Sequence, residues 1–469
     1  MVGIGIFYQR KNKDLEDYFI GGRTMKFGHI GFSVVATDVG GGFSIGLGGL
    51  GFTMGLSGSW MLFTGLIGAW LAAVLLIPRV YDLASKHQLL SFPQLLKIFY
   101  NRKVQLVTGL ISLIGYIGFT SSQILAGGKL ASAIFDGLDL TTAVLVMGLI
   151  AVVYTAIGGI KAVIYTDTIQ WIILLLGLIF IGLPLAYFAV GGWDAIAQVL
   201  APSFLRLDQV TFVQLINWGI TIVPIWFIGM TLYQRIFACQ DKKTAVKAWY
   251  LAGLMEWPVM AFLGVSLGLL GRVALDQGLL GMAATGFDPE LALPLLLKNV
   301  LPAGLLGLML SAYFSAVMST ADSCLMAASG NLLTDIVGLD RIKESRIMLF
   351  SQFFTLLIGV IAIGIALLLP NVLELMLHSY AFMVSGLLVP LVAAVFFKNT
   401  NTRAAIGSMV LGGFSTLGLT IGNFTLPWGL APIIFGMTVS IITFIIIHQL
   451  TKPNNILHSW KSKYTHQQV

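Results

Sequence analysis

The feature that most constrains this chain is an interrupted apolar stretch, Gly31–Gly55. Within it, Ala36-Thr37-Asp38-Val39-Gly40-Gly41-Gly42 sets a carboxylate just ahead of three consecutive glycines. The stretch is long enough to cross a bilayer. Each glycine costs about 1 kcal/mol against alanine in a helix interior, so the helix is expected to unwind here. Unwound backbone at membrane depth is tolerated only where protein buries it or a watery cavity borders it. Secondary transporters build substrate and ion sites from discontinuous helices of this kind. A glycine-rich helix packed closely on its neighbours is the plainer reading. It accounts for the glycines but not for Asp38, since an intramembrane acid is costly.

The surroundings agree with a membrane setting. With 57% hydrophobic and 10% charged residues over 469 positions, the chain reads as an all-α polytopic membrane protein. Twelve spans are expected, at 29–56, 60–80, 104–134, 140–160, 164–190, 212–236, 248–271, 297–330, 346–370, 373–397, 403–421 and 427–448. The first and eighth are long enough to be broken or strongly tilted. Residues 1–8 read as the last two turns of a further helix, too short to span. No cleavable signal peptide is expected, because the first apolar run is short and basic residues follow it.

Charge sets the expected orientation. With residues 9–28 cytoplasmic, alternation puts all but four of the 27 lysines and arginines in cytoplasmic segments. Arg206 and Arg272 fall outside, while Lys129 and Lys298 lie in or at the edge of spans. Residues 449–469 then form a cytoplasmic tail. Basic residues spread over short loops give no nucleic-acid surface, and the partner expected from composition is the lipid bilayer of the cell membrane. Cys239 and Cys324 are far apart and imply no disulfide framework.

Four segments carry a resemblance. Asp17-Tyr18-Phe19-Ile20-Gly21-Gly22-Arg23 precedes the first span, Leu232-Tyr233-Gln234-Arg235-Ile236-Phe237-Ala238 closes the sixth, and Ser315-Ala316-Val317-Met318-Ser319-Thr320 lies in the eighth. Gly158–Gln170, which reads GGIKAVIYTDTIQ, opens the fifth. Together and in this order they resemble the sodium/solute symporter family, whose members move proline, sugars, sialic acid or monocarboxylates. The resemblance implies an inverted repeat of five plus five helices, here residues 29–190 and 212–397. Two trailing helices at 403–448 would follow. Relatives usually carry a complete extra N-terminal helix, and residues 1–28 depart from that pattern.

Sodium is a hard cation that prefers oxygen ligands. Unwinding at residues 36–42 frees carbonyls, and Ser319-Thr320 puts two hydroxyls near one level of the eighth span. By themselves such hydroxyls usually bond back to their own helix. The resemblance assigns a main sodium site to the Ala36, Val39 and Ala316 carbonyls and the Ser319 and Thr320 hydroxyls. It also implies a second sodium site at Asp167, Ser319, Asp322 and Ser323, with Asp322 standing where relatives place a hydroxyl. Spacing of i to i+3 puts Asp322 near the face of Ser319. Two carboxylates at one cavity would bind a cation or share a proton. Asp167 as a helix-start cap is the alternative. Asp38 supports the ion site, either by steadying the unwound segment or by drawing in sodium.

The family's architecture puts the solute beside Gly40, Gly41 and Phe43, walled by the third, sixth and tenth spans. Gln123, Trp218, Trp226 and Tyr380 are the polar or aromatic candidates there, although membrane tryptophans are commonly core or interface anchors. Lys129 is open to two readings, pairing with a solute carboxylate or snorkelling to the surface.

Two patterns mislead. Gly46-Leu47-Gly48-Gly49-Leu50-Gly51 fits GxGxxG but follows no strand. Two intramembrane acids suggest an aspartyl protease dyad, yet the glycine-framed aspartate motif is missing, so no enzyme is expected. The chain reads as a sodium-coupled secondary symporter importing a small polar solute by alternating access. A transporter-like sensor or an uncoupled channel is the alternative. An amino acid, monocarboxylate, sugar or quaternary amine all remain open as the solute.

Overall fold

The computed structural model describes residues 20–158, 160–343, 346–397 and 400–451, with the side chains of residues 39, 43, 44, 157, 158 and 160–163 outside that description. Most of the expected N-terminal segment and most of the tail, residues 1–19 and 452–469, therefore lie outside the described residues. The chain is helical nearly throughout. Apart from one isolated bridge between Met25 and Cys239, no β-pairing occurs among the described residues.

All twelve expected spans correspond to helices. The first is Phe27–Met54, and the second runs from Trp60–Leu71 through a π-turn at Ala72–Leu76 into Ile77–Lys86. Arg102–Ile134 is the third, Leu140–Gly158 the fourth, and Ile160–Gly177 the fifth, prolonged to Ala189. The seventh covers Lys242–Asp276 and the eighth Ala303–Val337. Ile347–Leu368, Val372–Val395, Thr402–Ile421 and Pro432–Leu450 complete the series. Nine stretches among the described residues are long and apolar enough to cross a membrane alone, one of them running from Gly40 through the second span. The sixth span qualifies as a bent pair, and Leu140–Ala156 is a shorter apolar helix.

Helix ends follow local chemistry. Asn101, Thr211, Asp241 and Asn401 each accept hydrogen bonds from backbone N–H groups one turn into the helices they precede, which satisfies donors otherwise left unpaired. Two expected boundaries are corrected by similar chemistry. The eighth span starts at Ala303 instead of 297, because 297–300 belong to the separate helix Ala292–Val300 and Pro302 precedes the new helix. The twelfth starts at Pro432, after a 3-10 turn at Pro427–Gly429.

The breaks are the more consequential finding. The first span departs from helical geometry at Gly40 alone (φ 35°, ψ −166°), a conformation only glycine adopts cheaply. The eighth span, expected to be broken or tilted, continues without interruption from Ala303 to Gly330. The second broken helix is the sixth, divided into Phe212–Ile222, Ile225–Ile228 and Met230–Ala238 with a 42° bend. Pro224 lacks the N–H that would continue the helix, and Gly229 takes an extended conformation (ψ 117°).

The first span lies at the centre, packed on the third, fifth, seventh, eighth and tenth. Its approach to the seventh is close enough that a Cβ on Gly268 would collide with the Gly48 carbonyl, the small-residue contact typical of membrane helices. On the outside, Leu145, Val146, Leu149, Ile150 and Val153 of the fourth span are exposed, as are Phe353, Leu356, Leu357 and Val360 of the ninth. Contiguous apolar faces of this kind are disfavoured in water and suit hydrocarbon.

Candidate ion and solute site at the broken helices

At Gly40 the first span approaches the eighth so closely that an added Cβ would lie 2.6 Å from Thr320 Oγ1 and 3.0 Å from Gln123 Oε1. Thr320, fully buried, donates its hydroxyl to the Ala36 carbonyl at 2.9 Å and lies 3.3 Å from the Ala316 carbonyl. Three of the expected main-site oxygens therefore meet. Val39 precedes the break directly, with its side chain outside the described residues. Ser319 turns elsewhere and donates to Asp167. Beyond the break, the N–H groups of Gly41 and Gly42 donate to Gln123 Oε1 at 3.0 and 3.2 Å. A side chain expected to face solute thus caps the second half of the broken helix from the third span.

A charged network lies next to this contact. Asp167 and Arg235 are fully buried and 3.1 Å apart. Asp167 also accepts from Ser33 at 2.5 Å. Arg235 donates to Ser33 (3.0 Å), Thr37 (2.5 Å), Ser323 (3.0 Å) and the Thr231 carbonyl (3.1 Å). One guanidinium thereby joins the first, fifth, sixth and eighth spans. Placing Arg235 among the cytoplasmic charges is corrected here: it sits in Met230–Ala238, buried along its whole length. The sequence signal was present, since Arg235 stands inside the family motif and two residues within the expected sixth span. Ser323 belongs to this network, but Asp322 does not bond to it. Asp322 accepts from Thr155 of the fourth span at 2.5 Å.

The solute candidates separate. A cavity of about 10 Å³, room for about one water, opens between the two breaks and is lined by Thr37, Asp38, Tyr116, Phe119, Gly229, Thr231 and Tyr380 among others. Tyr380 donates to Asp38 at 3.5 Å and meets the Phe119 ring edge-to-face at 5.0 Å. Tyr116 accepts from the Thr231 N–H at 3.1 Å. Tyr116, Phe119 and Thr231 were missed; the i, i+3 spacing of the first two, seven and four residues before Gln123, was the available clue. Trp218 lines a separate open pocket of about 520 Å³, with Gly46, Gly49, Glu290 and His378. Trp226 is fully buried against Gly68 and Trp249, facing the second and seventh spans. The Phe43 side chain lies outside the described residues. Lys129 follows neither expectation: it is buried and pairs with Asp288 and Glu290, each at 2.6 Å. Glu290 in turn accepts from the Val372 and Leu373 N–H groups that open the tenth span.

Residues 18–412 match the sodium:solute symporter family. The chain belongs to that family. Among its relatives are an osmoregulated proline transporter of Bacillus subtilis, 27% identical over 96% of this chain and 93% of that protein, and a sodium/proline symporter of Staphylococcus aureus, 27% identical over 96% and 91%. The substrate-bound outward-open structure of a sodium-coupled sialic acid symporter shares the fold with TM-score 0.79 over 96% of both chains, at 21% identity. Members of this family are transporters, not enzymes. The chain is a sodium-coupled secondary symporter with the inverted-repeat fold, and the sensor and channel alternatives are not favoured.

Proposed function

We propose that this symporter couples one sodium ion, held at the junction of the broken first span and the eighth, to import of a compact zwitterionic solute of the proline class. The observation that carries the reading is the Thr320 hydroxyl on the Ala36 carbonyl, beside the break at Gly40. Sodium would take these two oxygens with the Val39 and Ala316 carbonyls and a rotated Ser319 hydroxyl. Asp38 and Tyr380 would face the solute from one side, Tyr116 and Phe119 from another. The Gly40–Gly41 backbone, followed by Gly42 and with the Gly41 and Gly42 N–H groups held by Gln123, would supply the floor. Trp218 belongs to the approach pocket, and Trp226 is left out. Asp167, Ser319 and Ser323 would be the donors of a second cation site, and Arg235 stands in it; Asp322 stays outside. The proline class is chosen because both amino-acid-transporting relatives are named for it.

The orientation follows the charge distribution: residues 240–247 and 338–346 in the cytoplasm and 276–290 outside, with the C-terminus cytoplasmic. Cysteine labelling from each side checks this, and outside labelling of 240–247 contradicts it. The test of function is uptake by proteoliposomes of proline, a monocarboxylate, a sugar and betaine under an inward sodium gradient. Proline is expected to accumulate and to lose accumulation when the gradient is collapsed. Accumulation of another member of the panel in its place would overturn the solute class but not the coupling.

A further inference from the structure

The third, eleventh and twelfth spans leave a pocket of about 600 Å³ where the first two begin and the last one ends. That place is the cytoplasmic edge of the bilayer in the proposed orientation. The frame of the pocket is polar and built. Asn401, 2% exposed, donates to the Thr451 carbonyl at 3.2 Å and hydroxyl at 2.8 Å, and Asn101 donates to Thr402 at 3.3 Å. These bonds fix the three helix ends to one another. The two asparagines also accept the first N–H groups of the third and eleventh spans, so those donors are spent on capping and do not make a site. What is left over is positive charge. Lys103 and Arg403 are exposed and line the pocket, and none of the described lining residues is an acid. Among the described residues neither cation forms an ion pair.

We propose that this pocket binds the headgroup of an anionic phospholipid, with Lys103 and Arg403 pairing with its phosphate. Basic pockets between membrane helices on the cytoplasmic side suit such headgroups, and the guanidinium fork matches phosphate oxygens. The occupant is a lipid and not a soluble anion, because apolar surface continues from the cations into the hydrocarbon. Leu106 and Leu110 follow Lys103 at i+3 and i+7, on one helical face, and both are exposed. Leu450 lines the pocket itself, and Ile446 lies exposed one turn before it. Acyl chains along these two faces would cover surface that a free phosphate leaves bare. A lipid held in this way would bridge the span that carries Gln123 to the two trailing helices.

The test is native mass spectrometry of the full chain in detergent, mixed with dioleoylphosphatidylglycerol or dioleoylphosphatidylcholine at equal concentration. Detergent exposes both ends of the protein, so the result does not depend on its orientation. The wild type is expected to retain phosphatidylglycerol in preference to phosphatidylcholine. The double variant Lys103→Gln, Arg403→Gln should weaken that retention roughly 25-fold, about fivefold per cation, and leave phosphatidylcholine unchanged. The control Lys97→Gln, Lys247→Gln removes the same charge from exposed residues outside the pocket lining and should keep the preference. Equal retention of the two lipids by the wild type would overturn the proposal, and this comparison decides alone should a variant misfold. Equal losses in the two double variants would overturn it too, because binding would then follow overall surface charge. Glycerol phosphate at equal concentration should not displace the lipid. Displacement would make the pocket a soluble-anion site and overturn the lipid assignment.

Discussion

Two contacts hold the first span to the eighth, about one turn apart, and they solve the same problem in opposite ways. At Thr320 the partners are neutral: a hydroxyl, the Ala36 carbonyl and the Ala316 carbonyl. At Asp167 the partners are charged, and Arg235 supplies a cation from within the chain. A cluster of neutral oxygens must recruit its cation from solution, so its occupancy follows sodium concentration. A carboxylate already matched by a guanidinium has no such need. The difference separates a contact suited to coupling from one suited to holding helices together.

The largest effect that would sharpen this contrast is expected at Arg235. Arg235→Gln leaves Asp167 buried without its counter-charge, which costs about 3–5 kcal/mol. Thermal unfolding in detergent should show that loss, and adding Asp167→Asn should recover more than half of it. A single variant as stable as the wild type would mean that the network does not bear on stability. The next effect lies on the neutral side. Thr320→Ala removes one oxygen of the proposed sodium site, and the loss of about 1–2 kcal/mol should weaken sodium binding roughly tenfold. Solute binding should return at saturating sodium, because the two ligands are thermodynamically linked. A solute defect that no sodium concentration rescues would break the assignment. The smallest effect is expected at Asp322. Asp322→Asn keeps an acceptor for Thr155, so sodium affinity in a radioactive-sodium binding assay should change less than about twofold. A tenfold change would bring Asp322 back into an ion site.

Much of this was legible in the sequence where chemistry is local. An acid followed by three glycines marks a break, and the structure has it at Gly40. Pro224 and Gly229 marked the second break by the same logic, in the corresponding helix of the other repeat. Span length pointed instead to the eighth, which is long simply because it is long. What could not be read are pairings between helices distant in sequence. Arg235 counts as a loop charge until the fold brings Asp167 to it from 68 residues away. Lys129 finds Glu290 across 161 residues. Gln123 looked like a solute ligand because its type and depth were right, and only the placement of the third span shows it capping Gly41 and Gly42. Trp226 and Trp218 were indistinguishable as residue types, yet one faces two neighbouring helices and the other an open pocket.

In the proposed coupling, one neutral-oxygen site recruits sodium while Arg235 stands in the other. Its most direct test is the sodium dependence of solute uptake by the wild-type chain in proteoliposomes, fitted for a Hill coefficient. The account predicts uptake that requires sodium with a coefficient of about 1. A coefficient clearly approaching about 2 would mean that a second sodium displaces Arg235 from Asp167, and uptake indifferent to sodium would contradict the account altogether.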